Sequence, residues 1–184
     1  MNREEAWDLL TGHIRQENLR KHCVATEAIM RSLARELGRD EESWGVAGLL
    51  HDLDFESTKD DPASHTLRTA DILRDKGIPD DMVEAIKAHN AEALGIERTT
   101  EMGFALSAAE SITGLIVAAA LVLPDKKLSS VKPSSVIKRM QEKAFARNVN
   151  RQAIRGCERL GIGLEDFVKL SLTAMQGIAS ELGL

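Results

Sequence analysis

The sequence predicts an all-α protein with a single domain, and three observations favour that fold class. Apolar residues recur at the spacing of a helix face along most of the chain. No stretch of strand length alternates apolar and polar residues, and no segment repeats. With 184 residues, the chain is long enough to bury a substantial core in one domain.

Glycines mark the ends of the first two helices. Residues 4–10 predict a short helix that stops at Gly12. Residues 18–37 place apolar side chains on one helical stripe. Gly38 follows at the position of a left-handed C-terminal cap, so the second helix is expected to end there.

The apolar run 44–50 predicts a buried third helix, which Asp40 or Ser43 can cap. Residues 53–62 are too polar and irregular for a core element, and their pattern favours a loop. The next helix is predicted over residues 64–76.

Ser64 is a suitable N-cap for that fourth helix, and Gly77 ends it. Residues 79–89 predict a fifth helix, because Pro79 is favoured where a helix begins.

Residues 101–122 are apolar on nearly all sides, which predicts a long helix at the centre of the core, ended by Pro124. We expect a helical core over residues 1–123 and a basic helical C-terminal subdomain, residues 124–184, packed on it. The subdomain is predicted to hold three helices, over residues 134–147, 151–160 and 164–182.

Composition limits the classes of protein. The formal net charge of −5 argues against binding to duplex nucleic acid, so a nucleic-acid partner is not expected. Cys23 and Cys157 form no CxxC pair, which favours a reducing, cytoplasmic location. The N-terminus lacks the apolar segment of a signal peptide. The most apolar run, residues 115–123, is shorter than the roughly 20 residues of a membrane helix, so no membrane association is expected.

His51 and Asp52 close the third predicted helix. Neighbouring side chains on a regular helix diverge by about 100°, but at a fraying helix end both can reach one ion. An imidazole and a carboxylate at such an end indicate a metal site, and these two are the candidate catalytic residues.

Three further histidines, His22, His65 and His89, lie on or beside other predicted helices that pack around the same core. Glu110 lies in apolar surroundings on the long helix, where an ionised carboxylate needs a cation or a basic side chain nearby. Together these residues favour a metal centre over unrelated surface histidines.

This ordered set resembles the HD-domain superfamily of metal-dependent phosphohydrolases. In that family a His, a His-Asp pair on a later helix and a final acid on a long apolar helix bind a metal ion. His22, His51 with Asp52, and Glu110 are similar to that pattern. The resemblance covers roughly residues 18–115 and implies a helical bundle of the HD-domain type.

Members of the family with two metals add two more histidines, and His65 and His89 occur in that order. The resemblance therefore implies that Asp52 bridges to a second site completed by these two residues. The final acid is usually Asp, whereas Glu110 is one methylene longer. Many two-metal relatives have His-His where this chain has His89 and Asn90, which argues against a third ion.

Imidazoles and carboxylates without thiolates suit one or two divalent transition ions, namely Fe, Mn, Ni, Co or Zn. Such ions lower the pKa of bound water to about 7, so metal-bound hydroxide is the expected nucleophile. The implied activity is a phosphomonoesterase or phosphodiesterase that cleaves a phosphate ester of a small metabolite, most simply a nucleotide.

A phosphorylated substrate also needs binding groups from the protein. Lys59 follows the His-Asp pair, and Arg68 is expected one helical turn beyond His65. Asn90 can hydrogen-bond bound water or substrate. Each of these can equally be a solvated surface side chain.

Basic side chains outnumber acidic ones in the C-terminal third, where Lys138 and Arg147 are further candidates for substrate binding. A helical face there can bind polyphosphate, can be solvated, or can pair with the acidic N-terminal half. Its predicted members are Arg147, Arg151, Arg155 and Arg159.

Three functions remain open from the sequence. The first is the metal-dependent phosphohydrolase, acting on a small phosphorylated metabolite or nucleotide. The second is a di-iron oxygenase that resembles myo-inositol oxygenase. The third is a non-catalytic metal-binding regulatory module. Apolar surface also permits a homodimer.

Overall fold

The protein, described over residues 1–184 by a computed structural model, is built of helices and contains no strand. The all-α prediction is confirmed. Two 3₁₀ turns, Leu128–Ser130 and Arg155–Leu160, join the α-helices near the C-terminus. The α-helices are α1 (Arg3–His13), α2 (Glu17–Leu37), α3 (Glu41–Leu50), α4 (Phe55–Thr58), α5 (Leu67–Asp75), α6 (Asp80–His89), α7 (Ala91–Leu94), α8 (Glu101–Leu121), α9 (Pro133–Gln141), α10 (Arg151–Ile154), α11 (Leu164–Gly177) and α12 (Ala179–Leu182).

Two long helices, α2 and α8, form the centre of the fold. Helix α2 packs against α3, α8 and α11, while α8 also packs against α6, α9 and α10. One cluster of buried apolar side chains extends from Ala6 in α1 to Leu182 in α12. Residues 124–184 therefore share one core with residues 1–123.

Helix α8 is apolar because it lies inside the protein. By length and composition alone it is long and apolar enough to cross a membrane. However, 67% of its most apolar 18-residue window is buried within the fold, as is typical of a central core helix. The long helix predicted over residues 101–122 matches α8 to within one residue.

The N-terminal half differs from the prediction at the ends of two helices. Helix α1 continues through Gly12 to His13, because a glycine weakens a helix without necessarily ending it. Helix α5 begins at Leu67 rather than at Ser64, since Thr66 adopts a left-handed conformation (φ 74°) that separates the two.

The segment predicted as a loop over residues 53–62 contains a helix and buried polar groups. It forms α4, and Asp54 and Thr58 are buried within it. The hydroxyl of Thr58 donates to the carbonyl of Asp54. The polar residues of this segment can therefore be buried because they form hydrogen bonds with one another.

The C-terminal half also has shorter helices than predicted. Helix α9 ends at Gln141 rather than at Arg147, because the guanidinium of Arg151 occupies the carbonyls of Arg139 and Met140. The helix expected over residues 164–182 is interrupted at Ile178, directly after Gly177. The region 151–160 is one short α-turn followed by a 3₁₀ turn.

Gly48 marks a close approach of α3 to α2. A Cβ atom at this position would lie 3.0 Å from the backbone nitrogen and Cα of Glu27. We expect Gly48→Ala to destabilise the protein by about 1–3 kcal/mol, as overpacking does elsewhere. Gly12 in α1 has open space around it, so Gly12→Ala is expected to stabilise by about 0.5–1 kcal/mol. Denaturant unfolding of both variants measures these changes. Equal changes in the free energy of unfolding would contradict the close packing at Gly48.

Candidate metal centre

Four histidines and one aspartate converge in two groups that share a carboxylate. The first triad is formed by Nε2 of His22, Nε2 of His51 and Oδ2 of Asp52. The second triad is formed by Oδ1 of Asp52 with Nε2 of His65 and Nε2 of His89. Asp52 thus presents one oxygen to each triad.

The separations within each triad match those of ligands around one ion. In the first triad the two nitrogens are 3.1 Å apart, and Oδ2 lies 3.7 Å from His22 and 3.6 Å from His51. In the second, the nitrogens are 3.2 Å apart, and Oδ1 lies 3.3 Å from His65 and 3.4 Å from His89. With metal–ligand bonds of about 2.1 Å, two ligand atoms lie about 3.0 Å apart at a right angle and about 3.4 Å at the tetrahedral angle.

Helix ends place most of these side chains. His51 and Asp52 follow the last residue of α3, where the chain turns away and lets both reach inward. His89 is the last residue of α6, and His65 precedes α5. Only His22 lies inside a long helix, α2, which passes over the centre.

Each imidazole uses its other ring nitrogen for a hydrogen bond that fixes the ring. The partners can only accept, because two are main-chain carbonyls, one is a carboxylate, and the hydroxyl of Thr113 donates its own proton to the carbonyl of Glu110. All four rings therefore carry a proton on Nδ1, which is the arrangement found in metal-ligating histidines. The pairs are His22 with Thr113 Oγ1 (2.9 Å), His51 with Gly48 O (2.8 Å), His65 with Asp54 Oδ1 (2.7 Å) and His89 with Ile86 O (2.7 Å).

The first triad fits a cation for a second reason. Burial lowers the pKa of His51 to about 3, so this ring is neutral and its Nε2 presents a lone pair. Nε2 of His22 faces this lone pair at 3.1 Å. Two ring nitrogens at this separation need a cation between them, which is either a proton or a metal ion. A divalent ion that accepts imidazole and carboxylate donors satisfies both.

Asp52 and His65 carry the opposite charges of the centre. Burial alone would raise the pKa of Asp52, but the imidazoles around it, His51 first, hold the pKa well below its ordinary value. Burial also opposes charge on His65, yet its hydrogen bonds to Asp52 and Asp54 raise its pKa to about 9. Without an ion, the second triad therefore holds a proton on His65.

Asp54 is a functional candidate that the sequence analysis missed. It is buried, its Oδ1 accepts from His65, and its Oδ2 accepts from the backbone nitrogen of Thr69 at the start of α5. Its position two residues after Asp52 was the available signal, but the polarity of the segment suggested a loop. Thr113, which orients His22, gave no signal in an apolar helix.

We expect Asp54→Asn to weaken metal binding at the second triad by about 10- to 100-fold, since outer partners of ligating histidines have effects of this size. At pH 7.5 the wild-type His65 should release a proton on ion uptake, because its pKa lies near 9 and only the neutral ring can bind. The variant should release less, since one of the two carboxylates that raise this pKa is lost while Asp52 remains. Calorimetric titration in buffers of different ionisation enthalpy measures the metal affinity and the number of protons released. An unchanged number of released protons in Asp54→Asn would contradict the role of Asp54.

Glu110 lies beside the two triads and belongs to neither. The hydroxyl of Ser111 donates to its Oε1. Burial raises the pKa of Glu110 against the opposing attraction of His89 and His22, which places its carboxylate in the field of the centre. Neither triad includes Glu110, whose carboxylate accepts from Ser111, and its role as a direct ligand of the first site stays a prediction.

The five predicted substrate-binding residues are dispersed. Arg147 lines a cavity of about 700 Å³ together with His22 and Glu110. Lys59 and Lys138 are exposed outside it. Arg68 lines a smaller cavity beside Asp54 and, because α5 begins after His65, does not share a helix face with it.

Asn90 holds a segment of the centre in place. Its Nδ2 donates to the carbonyls of Pro62 and His65, at 2.8 and 3.0 Å. The amide nitrogen thus fixes the segment that carries His65. A hydrogen bond from Asn90 to bound water or substrate stays a prediction.

The basic face predicted in the C-terminal third does not form. Arg147 lies between α9 and α10, and Arg151 turns inward to main-chain carbonyls. Arg155 pairs with Glu158, and Arg159 lies over the ring of Phe104. The four side chains share no continuous helix, because the chain bends between them.

Comparison with known proteins identifies a family match over this region. The family model described as HD domain matches residues 19–121, which is more than half of the chain and includes both triads. No solved structure matches the chain.

Three curated relatives are ribonucleases Y. The chain is 32% identical to that of Nitratidesulfovibrio vulgaris over 98 residues, which are 53% of this chain and 18% of that protein. It is 33% identical to that of Acidothermus cellulolyticus over 98 residues, 53% of this chain and 19% of that protein. It is 36% identical to that of Salinispora arenicola over 76 residues, which are 41% of this chain and 13% of that protein. The aligned segments thus span less than a fifth of these relatives.

Proposed function

Because the chain belongs to the HD-domain family, we propose that it is a metal-dependent phosphohydrolase that cleaves a phosphate ester of a nucleotide. The observation that carries this proposal is the pair of triads joined through Asp52. Two ion sites that share one carboxylate suit a reaction in which negative charge develops on phosphoryl oxygens.

His22, His51 and Asp52 would hold one divalent ion, and Asp52, His65 and His89 a second, of Fe, Mn, Ni, Co or Zn. Such ions, when bound, lower the pKa of coordinated water to about 7 and stabilise charge on the phosphate. The protein supplies oriented imidazoles and one carboxylate shared by the two sites.

Two further groups act around the ions. Glu110, whose pKa is raised by burial, is placed to exchange a proton at the edge of the centre. Arg147, at the rim of the same cavity, would bind the phosphate of the substrate. Of the four histidines, His22 is the most exposed, so substrate would reach the ions from this cavity.

The substrate class is argued from charge, size and relatives. The relatives that match are named ribonucleases, which supports a nucleotide phosphate as the reacting group. The net charge of −5 favours a small ligand over a long polyanion. A cavity of about 700 Å³ lies within the range of small-molecule sites. We further propose that the protein acts in the cytoplasm, without a membrane or nucleic-acid partner.

Metal-stripped protein, reloaded with one ion at a time, should be assayed on nucleoside monophosphates, an aryl phosphate monoester, an aryl phosphate diester and a short RNA. We expect hydrolysis of nucleoside phosphates that depends on added Mn²⁺ or Ni²⁺ and is abolished by chelation. Turnover of RNA alone would contradict the small-substrate proposal.

The same preparation separates the two alternative functions. Substrate-dependent oxygen uptake by the iron-loaded protein would favour an oxygenase. Full ion binding without any turnover would favour a regulatory module. Either result would contradict the phosphohydrolase.

A further inference from the structure

The cavity that contains His22 and Glu110 is walled by a segment outside the region matched by the family. One wall is the face of α8 that carries Glu110 and Gly114, and the other is formed by residues between α9 and α10. We call residues 142–150 the arm. It supplies Ala144, Ala146, Arg147, Asn148, Val149 and Asn150 to the cavity.

The guanidinium of Arg151 holds the arm in place. It has no carboxylate partner and instead donates to six main-chain carbonyls at the end of α9 and along the arm. A planar group with five donors can gather carbonyls in this way, whereas a lysine ammonium has fewer donors and no fork. The carbonyls belong to Arg139, Met140, Glu142, Phe145, Ala146 and Val149.

Other contacts fix the arm against its neighbours. The guanidinium of Arg139 lies 4.3 Å from the ring centre of Phe145. Val149 approaches α8 at Gly114. A Cβ atom built on Gly114 would lie 3.4 Å from a methyl group of Val149. Ala146 adopts a left-handed conformation (φ 44°), which costs energy for a residue with a side chain and turns the chain immediately before Arg147.

The result is a rigid turn that presents Arg147 without a partner of its own. No carboxylate pairs with Arg147, although the pairing of arginine with glutamate is common elsewhere in this chain. Arg147 is exposed and lines the cavity that contains His22. An unpaired arginine on a backbone held by other contacts is suited to bind an anion, since the backbone needs no ordering on binding.

We propose that the arm is a preformed phosphate-binding element of the site, with Arg147 as the anion contact and Arg151 as the residue that positions it. The ligand is a phosphate monoester or free phosphate of nucleotide size. This inference rests on the proposed function and assigns its substrate recognition to the C-terminal segment.

The test compares Arg147→Gln, Arg151→Gln and Arg151→Lys in the full, Mn²⁺-loaded chain. Binding of inorganic phosphate is measured by calorimetry, and KM and kcat are measured on a nucleoside monophosphate. Arg147→Gln should weaken phosphate binding and raise KM by about 10- to 100-fold, with kcat and metal content nearly unchanged, because it removes charged hydrogen bonds. Arg151→Gln should act similarly, and Arg151→Lys should recover part of the loss.

Hydrogen exchange separates contact from positioning. Arg151→Gln should speed amide exchange in residues 142–150, whereas Arg147→Gln should leave it unchanged. Lys143→Gln is the matched control, since Lys143 lies in the arm, carries the same charge and does not line the cavity. It should change phosphate affinity by less than about threefold, as expected for an exposed charge.

The outcomes are distinguishable from those of the proposed function. If the chain binds phosphate through Arg147 but hydrolyses no ester, the proposed function fails and this inference stands. If it hydrolyses esters while both glutamine variants keep wild-type phosphate affinity and KM, the inference is wrong and the proposed function stands. Absence of phosphate binding to the wild-type chain would also overturn the inference.

Discussion

Asp52→Asn should remove metal from both triads and reduce hydrolysis by at least about a thousandfold. The carboxylate gives one oxygen to each triad, and no other acid lies within ligand distance in either. An amide keeps the shape of the side chain but carries no charge, so neither site keeps an anionic ligand. Bound ions contribute several kcal/mol of charge stabilisation, and about 4 kcal/mol corresponds to this change in rate.

Elemental analysis after dialysis, together with steady-state kinetics, checks this expectation. Asp60→Asn is the matched control, because Asp60 is exposed in the same segment and contacts neither triad. It should keep wild-type metal content and activity. Retention of both ions in Asp52→Asn would show that the shared carboxylate is dispensable.

The fold and the approximate position of the site follow from local sequence patterns. Helical spacing predicts α2 and α8, and Gly38 ends α2 in the left-handed conformation expected of it. The order of His22, His51, His65 and His89 is compatible with one centre only if their helices converge, which the structure shows. Their role as ligands stays a prediction.

The parts that the sequence did not predict depend on particular side-chain contacts, most of them between distant segments. Asp54 is buried because His65 and the start of α5 lie against it. The rotamer of Glu110 depends on Ser111 beside it. Helix α9 ends early because Arg151 binds the carbonyls of Met140 and Arg139 from 11 and 12 residues away. None of these contacts leaves a periodic pattern, so periodicity could not reveal them.

His22→Ala and His65→Ala should each remove one ion and leave the other bound. The two histidines belong to different triads, and each triad keeps its second imidazole and its own oxygen of Asp52 when the other is damaged. Thr113 fixes the ring of His22, and Asp54 fixes the ring of His65. Replacement of either histidine therefore leaves the residue that orients the other one in place. Hydrolysis should fall strongly in both, because a reaction that uses two ions loses one.

His13→Ala is the control, since His13 in α1 is the one histidine outside the two triads. It should keep the metal content and activity of the wild type. Stability gives an independent measure, because an ion present at 100 times its dissociation constant stabilises the fold by about 2.7 kcal/mol. Chelation should therefore lower the free energy of unfolding of the wild type about twice as much as that of either triad variant.

Two results would contradict independent triads. If His22→Ala or His65→Ala lost both ions, the centre would be one composite site in which Asp52 cannot hold a single ion on either side. If each variant kept both ions, the 3.1 and 3.2 Å approaches of the imidazole nitrogens would reflect packing rather than ligation. The two variants are still expected to bind their remaining ion with different affinities. His51 is already neutral, whereas His65 must first give up its proton before it can bind an ion.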